Sequence, residues 1–172
     1  MRRPFAAAAL GLAAVGGALA LAAPAQASTP SVSTLVARCT TTPPAPGSTV
    51  RAAMFAELQC VRRNAGLPTF TGSASIALVS HAWSYVMATG AGLGHNPYLS
   101  YMLTKVDTRW MDSGEIVGMT TAGNGQVPRI VAAWLRSSEH RAELLDPHLK
   151  IIGIGLANGA GQLWATVDLV DR

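Results

Sequence analysis

Three polar side chains have the chemistry and the setting of a functional site. His95 lies in the sequence Gly-His-Asn-Pro, and His140 lies in Ser-Glu-His-Arg. Glu115 lies between them along the chain, in the otherwise apolar stretch Gly-Glu-Ile-Val, where a buried carboxylate would need a partner. Two imidazoles and a carboxylate could bind zinc with an open coordination position, or act as a base with its orienting groups.

Spacing alone does not establish such a site, because no pair of these residues has the i, i+4 separation of a His-Glu-x-x-His helix. The alternative interpretation makes His95 and His140 hydrogen-bonded turn residues and pairs Glu115 with a nearby arginine or backbone amide. We interpret His81, in the middle of a helical pattern, as a packed and hydrogen-bonded structural histidine, and we expect His148 to be exposed. Three tryptophans on apolar faces are expected in the core rather than as ligand platforms: Trp83, Trp134 and Trp164.

The N-terminal segment is typical of a secretory signal peptide. Two arginines precede an apolar run from Ala6 to Ala23, and an Ala-x-Ala cleavage site ends at Ala27. A membrane span is the alternative, but the run is rich in Ala and Gly and the cleavage site follows at once. We therefore predict that residues 1–27 are removed, which leaves a secreted, extracellular chain with no membrane span that begins at Ser28. The two arginines leave the general and twin-arginine export routes both open.

Charge and length limit the partners of the mature chain. Without the two leader arginines it has 11 basic and 9 acidic residues, so its net charge is near +2. No remaining stretch combines a basic run with aromatic residues, which argues against nucleic acid as the partner. The length suits one domain with a real core, which we expect to be a monomer.

The two cysteines, Cys39 and Cys60, both lie in the mature chain. An oxidising compartment and an even count favour a disulfide between them, which in the chain-entropy model would be worth about 3 kcal/mol. Two unpaired thiols, or a nucleophile beside a histidine, are the alternatives.

Local patterns predict helices in the first half of the mature chain. Residues 28–48 contain several prolines and few large apolar groups, so we predict an extended arm there and a domain over residues 49–172. A first helix is predicted from a cap at Ser48 or Thr49 to Gly66, and a second from Ser73 to about Ala88. A short helix is expected between Tyr98 and Trp110.

The second half of the chain alternates between helical and strand patterns. Residues 115–121 suit a strand or a short turn of helix, and apolar spacing predicts a helix over residues 126–135 followed by a short helical turn up to Leu145. Two strands flank a hairpin turn at the end: residues 151–156 and 163–170. Gly153 and Gly155, inside the first of these strands, suggest close approach by a neighbouring element. This order predicts an α+β domain with helices packed on an antiparallel sheet.

Several short motifs follow one another in an order that resembles the bacterial SCP-like secreted branch of the CAP superfamily, which includes cysteine-rich secretory, antigen-five and pathogenesis-related proteins. The likeness spans roughly Val50 to Val170 and is carried by these residues: Arg63, Gly66-Leu67, His81-Ala82, Met87, Gly94-His95, Gly114-Glu115-Ile116, Trp134, Ser137, His140-Arg141, Leu144-Leu145 and Ile152-Gly153-Ile154-Gly155.

The resemblance implies an α-β-α sandwich, a central antiparallel sheet flanked by helices. It also implies a cleft in which His95, His140 and Glu115 meet and where some relatives bind a divalent metal such as zinc. The sequence departs from the family pattern in three places. Ile116 replaces the usual Asn after the glutamate, Cys60 stands where the first helix of relatives commonly has Asn, and the helix containing Trp134 has no convincing second glutamate. The incomplete acidic set makes a tightly held metal less expected than in fuller relatives.

We consider three interpretations of the function. The resemblance favours a secreted binding or interaction module, with lipid or sterol capture in some relatives and host or cell-wall roles in others, so its partner would be a lipid, a sterol or a cell-envelope component. The alternative is a metal-assisted or acid-base hydrolase of peptide or cell-wall material that uses His95, Glu115 and His140. No serine nucleophile motif, zinc-binding helix or paired catalytic acids support that enzyme. A purely structural role, with the cleft as a relic, is a third interpretation.

Overall fold

The computed structural model describes residues 30–41 and 47–172. The predicted signal peptide and its cleavage site lie outside these residues. Six α-helices are described: α1 (Val32–Cys39), α2 (Val50–Asn64), α3 (Ala74–Val86), α4 (Leu99–Val106), α5 (Gln126–Arg136) and α6 (Ser138–Leu145). The strands described are β1 (Thr71–Gly72), β2 (Ser113–Thr121), β3 (Ile151–Gly159) and β4 (Gln162–Val170). None of the described helices combines the length and the apolar character that a membrane span requires.

The strands form one sheet in the order β1-β3-β4-β2. The three long strands pair antiparallel, as predicted, and the two-residue β1 adds a short parallel edge to β3. Residues 115–121, for which strand and helix were both considered, belong to β2. β4 pairs with β2 and β3, and β3 pairs with β4 and β1. The centre of the sheet is therefore formed by β3 and β4.

Helices cover both faces of this sheet, so the predicted α-β-α sandwich is present. One face packs against α1, α2, α5 and α6 and forms the larger apolar core. The other face lies under α3, with α4 packed against α3. Period-two alternation in β3 explains the division, because Ile152 and Ile154 point into the larger core while Gly153 and Gly155 face α3.

The two strand glycines let α3 lie directly on the sheet. A Cβ atom at Gly155 would collide with the backbone of Ser80, and one at Gly153 would collide with the backbone of Ile76 and Ala77. The close approach predicted from the sequence is therefore made by α3. It brings polar side chains of α3 within hydrogen-bonding distance of β4, as described below.

The prediction of an extended arm over residues 28–48 is wrong for Val32–Cys39, which form α1. Ser31 caps this helix by accepting a hydrogen bond from the Thr34 amide. Leu35 is fully buried in the larger core, and Cys39 is buried beside it. The helix forms despite its shortness because its apolar face packs on α2 and α5.

Cys39 and Cys60 form the predicted disulfide, with Cα atoms 5.5 Å apart. The bond joins the end of α1 to the third turn of α2 and closes a loop over a sequence separation of 21. No cysteine is left free for a nucleophilic role in the described residues. The disulfide therefore fixes α1 onto the domain.

Candidate functional site around His95 and Glu115

His95 and Glu115 form a direct hydrogen-bonded pair. The Nδ1 atom of His95 lies 2.9 Å from Oε1 of Glu115, and the backbone amide of Asn96 donates to the same oxygen at 2.8 Å. The Glu115 side chain is 4 % exposed, whereas that of His95 is 62 % exposed. The accessible imidazole of His95 is thus hydrogen-bonded to the buried carboxyl group of Glu115.

The segment that carries His95 is held by the end of α3. Trp83 donates its indole N–H to the carbonyl of Gly94 at 2.8 Å. Asn96 is buried, and its side-chain oxygen accepts from the amide of Tyr98 at 2.9 Å. These bonds fix the backbone on both sides of His95, so that its imidazole is positioned by more than the Glu115 contact.

A second carboxyl group lies next to Glu115 on the sheet. Asp168 of β4 is the direct partner of Glu115 in the register of β2 and β4, so the two side chains share the α3 face. Asp168 is fully buried and accepts a hydrogen bond from the Ser80 hydroxyl at 2.8 Å. Each carboxyl keeps one buried oxygen without a partner among the described residues: Oε2 of Glu115 and Oδ1 of Asp168.

This environment keeps a proton on Asp168. Burial raises the pKa of Asp168 to about 8, and the charge of Glu115 and a hydrogen bond with it act in the same direction, while the Ser80 bond opposes them. A protonated Asp168 can donate to the unpartnered oxygen of Glu115. The carboxyl pair then satisfies both buried oxygens without a cation.

Glu115, Asp168 and Ser80 begin a strip of buried polar groups that continues along the same interface of helix and sheet. The hydroxyl of Ser84, one turn after Ser80, lies 2.9 Å from that of Thr166 on β4. All of these groups are buried. The interface between α3 and β4 is therefore polar at the level of the site, and its polar groups are paired by hydrogen bonds.

His140 lies on α6, on the helix layer that packs on the opposite face of the sheet, and it is half-buried. Its backbone amide bonds the capping hydroxyl of Ser137 at 3.4 Å. Burial lowers the pKa of its imidazole, the charge of His95 lowers it further, and Glu139 opposes both. The two imidazoles are therefore close enough to interact electrostatically.

Glu143, one turn after His140, belongs to the same neighbourhood. Burial raises the pKa of Glu143, with Asp146 and Asp112 adding to the effect and His95 opposing it. Gly114 of β2 provides the room for this side chain, because a Cβ atom there would collide with the Glu143 carboxyl group. Glu143 lies three residues after His140 but is not among the residues predicted to form the site.

Of the three predicted site residues, the structure brings His95 and Glu115 into contact and places His140 within electrostatic range. In the part of the chain that is described, no group of three or more His, Cys, Asp and Glu side chains could hold a metal ion. Oε1 of Glu115 is occupied by His95 and Asn96, so two imidazoles remain as the obvious donors, fewer than a catalytic zinc site uses. These residues do not fit a tightly bound metal, and zinc binding stays a prediction.

The other histidines are placed as follows. His81 is hydrogen-bonded, since its Nδ1 donates to the Leu156 carbonyl at 2.9 Å, but it is exposed rather than packed. His148 is exposed, as predicted. Trp134 is buried in the core, whereas Trp83 and Trp164 are half-buried.

Sequence reasoning missed Asp168 and Ser80. A signal was present, because Thr166 and Asp168 are polar residues at alternate positions of an otherwise apolar strand. Ser80 and Ser84 have helical i, i+4 spacing within the apolar pattern of α3. Polar residues at matching spacings on two elements that pack together are what a buried hydrogen-bonded strip requires.

A family profile agrees with the resemblance that the sequence motifs show. The profile of the CAP family, described as the cysteine-rich secretory protein family, matches residues 55–168. This range includes His95, Glu115, His140 and Asp168. No curated protein matches the chain at a significant level.

Solved structures of bacterial proteins share the fold. An extracellular protein containing an SCP domain from Bacillus anthracis has a TM-score of 0.61 at 20 % identity and covers 70 % of this chain. An outer surface protein from Borrelia burgdorferi gives 0.63 at 17 % identity and covers 71 %. A cysteine-rich secretory protein from Staphylococcus aureus gives 0.60 at 16 % identity and covers 75 %. The match spans 40 % of the Bacillus and Staphylococcus chains and 92 % of the Borrelia chain.

Proposed function

Because the chain belongs to the cysteine-rich secretory protein family, we propose that it is a secreted binding module that takes its ligand on the surface formed by His95 and His140. The observation that carries the proposal is the contrast between the exposed imidazole of His95 and the buried carboxyl that holds it. A surface histidine without a functional role has no need of such a support, whereas a binding site gains affinity from preorganisation.

The Glu115 carboxyl group also determines which nitrogen of His95 is available to a ligand. Oε1 of Glu115 accepts from the Asn96 amide, so it is an acceptor for the His95 Nδ1–H as well. In its neutral form the imidazole then presents Nε2 as an acceptor toward solvent. A cell-envelope component rich in hydroxyl and amide donors matches this group, and the lowered pKa of His140 keeps a second imidazole neutral beside it.

Sedimentation with purified cell-wall sacculi tests the proposal. We expect the mature protein to co-sediment, and we expect His95→Ala with His140→Ala to weaken binding by about tenfold or more, because two hydrogen-bonding groups are lost. His148→Ala is the matched control, since it removes an exposed imidazole outside the site. Equal binding by the double variant and the wild type would refute the proposal.

A separate apolar groove favours a second candidate function, the binding of a lipid or sterol. The groove has a volume of about 360 Å³ and lies at the β1 edge of the sheet, between α2 and α3. Its apolar lining includes Phe55, Ala77, Ile152 and Ile154. It is lined by none of the three predicted site residues, so apolar ligand binding would be independent of the histidines.

Uptake of a fluorescent fatty acid or sterol separates the two functions. A groove-filling Ala77→Phe variant should abolish uptake, and the double alanine variant of His95 and His140 should retain it. Uptake that the groove variant leaves unchanged would exclude this groove as the binding site.

The hydrolase alternative has less support. Within the described residues, no Ser, Thr or Cys side chain is hydrogen-bonded to the imidazole of His95 or His140. Glu115 could orient His95 as a general base, but a base needs a nucleophile or a positioned water to activate. Turnover of peptide or cell-wall substrates that is lost in the double variant would revive this alternative.

A further inference from the structure

A polar pocket with a volume of about 380 Å³ adjoins the apolar groove, with which it shares Ser73, and lies apart from the histidine site. It is formed by the beginning of α3, the end of α4 and the residues that follow β4. Lys105, Arg109 and Arg172 contribute three cationic side chains, and Asp107 is the one acidic side chain in the lining. His95, Glu115 and His140 do not line it, and neither do the apolar residues of the lipid groove.

Asp107 is hydrogen-bonded to both arginines. Its Oδ1 accepts from Nε of Arg109 at 3.2 Å and its Oδ2 from Nη2 of the same residue at 3.4 Å. Arg172 donates from Nη1 to Oδ2 at 2.7 Å. The hydrogen bonds from Arg109 are the main reason that the pKa of Asp107 is lowered, so its carboxylate remains ionised and the arrangement persists over the physiological pH range.

Several donors remain unused after these bonds. Within the described residues, Nη1 of Arg109, Nε and Nη2 of Arg172 and Nζ of Lys105 have no hydrogen-bond acceptor, although Nζ lies 5.0 Å from the Tyr101 ring. Ser73, Ser75 and Thr108 add hydroxyl groups to the lining. The pocket thus combines excess positive charge with donors that no protein group uses.

The arrangement of the donors selects a shape of anion. A planar carboxylate binds best to the two-pronged edge of one arginine, but Asp107 already occupies that edge of Arg109. Arg172 keeps its own Nε and Nη2 edge free, and Nη1 of Arg109 and Nζ of Lys105 come from separate residues. A tetrahedral oxyanion, with more than two oxygens, can use more of these donors than a carboxylate can. The volume leaves room for an organic group attached to the anion.

We propose that this pocket binds a phosphate group, as a free phosphomonoester or as the phosphodiester of a larger molecule. The proposal is independent of the function assigned to His95 and His140, since the two sites share no residue. Phosphate binding here would give the module a second point of attachment to its target, and two linked contacts strengthen attachment beyond either alone.

Titration of the labelled protein with inorganic phosphate and with dimethyl phosphate, followed by amide chemical shifts in NMR, tests the proposal. Saturable shifts confined to residues 73–75, 104–109 and 172 are expected with at least one of the two probes. A response to inorganic phosphate alone identifies a monoester site, and a response to dimethyl phosphate identifies a diester site. Absence of saturable shifts with both probes would overturn the proposal.

Charge variants distinguish a built site from general attraction of anions. Lys105→Gln removes a cation that holds no other side chain by a hydrogen bond, and we expect it to weaken binding by about threefold, as does Arg109→Gln. Arg136→Gln is the matched control, because Arg136 is exposed at the end of α5 and lies outside the pocket. Equal weakening by the control variant would show nonspecific binding and would contradict the proposal.

Discussion

The substitution Asp168→Asn tests the protonated carboxyl group beneath the site. Asn has the same shape as a neutral Asp, so its oxygen can accept from Ser80 and its amide can donate to Oε2 of Glu115. It differs in requiring no proton. Wild-type folding near neutral pH must place a proton on Asp168, whereas folding of the variant does not.

The pKa of Asp168 sets the sign and size of the effect. Because the folded-state value of about 8 exceeds the ordinary 3.8, the folded state binds a proton that the unfolded state lacks between those values. The contribution of Asp168 to the free energy of unfolding therefore falls as pH rises through this window, by up to about 1.4 kcal/mol per pH unit. At about pH 7 the accumulated cost approaches about 4 kcal/mol as an upper limit.

The variant should lack this contribution. We expect Asp168→Asn to be more stable than the wild type at about pH 7.5 by about 1 to 3 kcal/mol, because the second amide hydrogen, if left unpaired, offsets part of the gain. Its advantage should shrink as pH is lowered toward about 5. Urea unfolding followed by circular dichroism at several pH values measures both quantities.

Other groups titrate in the same range, so the difference between variant and wild type is the informative quantity. Glu57, whose pKa burial raises to about 7, acts in the same direction as Asp168. His140, whose pKa is lowered, acts in the opposite direction, since its contribution is lost as pH falls through the unfolded-state value. Both effects are common to variant and wild type.

Asp171→Asn provides the matched control. Backbone hydrogen bonds from Asp112 and Met111 lower the pKa of Asp171, so its charge is constant across the measured range and the control should keep the wild-type slope. Parallel pH profiles of the wild type and Asp168→Asn, or a variant that is less stable at every pH, would refute a protonated Asp168.

Three further predictions concern the disulfide, the helix–sheet contact and the metal. Cys39→Ser should lower the free energy of unfolding by about 3 kcal/mol, and a reducing agent should destabilise the wild type equally but leave the variant unchanged. Gly155→Ala should cost about 2 kcal/mol or more in urea unfolding, because its Cβ would collide with Ser80, whereas Gly94→Ala enters open space and should cost far less. Because the described residues do not fit a tightly bound metal, zinc calorimetry near neutral pH should show at most weak binding by the wild type, and tight binding that is lost on replacing both site histidines but kept in His148→Ala would contradict this.

Patterns within short stretches of the sequence were sufficient to predict most of the helices and strands. The hairpin at the end of the chain is an example, because its small residues allow backbone angles that most residues avoid. Ala160 has φ of 50° and Gly161 has φ of 72°, so both residues at the turn between β3 and β4 are left-handed. Similarly, the apolar spacing that begins at Val50 matches α2 closely.

Features that depend on contacts between distant segments could not be predicted in the same way. An isolated helix as short as α1 is unstable in water, and the prolines that follow it favour an extended chain. Burial of Leu35 and the bond from Cys39 to Cys60 stabilise this helix. None of these contacts is visible in the local pattern of residues 28–48.

Glu115 reaches its partner only in one register of the sheet. Side chains alternate along β2, so Glu115 faces Asp168 and α3 while its neighbours Gly114 and Gly118 face the helices of the other layer. Gly118 leaves the space into which the indole of Trp134 fits when it donates to the Val117 carbonyl. A shift of β2 by one residue would move the glutamate to the position of Gly114 or Ile116, on the face that packs on the larger apolar core, and would move a side chain into the space that Gly118 leaves for the indole.

The register that allows Trp134 to pack is thus the one that places Glu115 beneath His95. Packing of the larger core and positioning of the site are therefore set by the same pairing of β2 with β4. It follows that Gly118→Ala, far from the imidazole, should both destabilise the fold and loosen the contact between His95 and Glu115. Broadening of the His95 ring signals in NMR would measure the second effect, and ring signals that stay sharp in a destabilised variant would show that the two are not coupled.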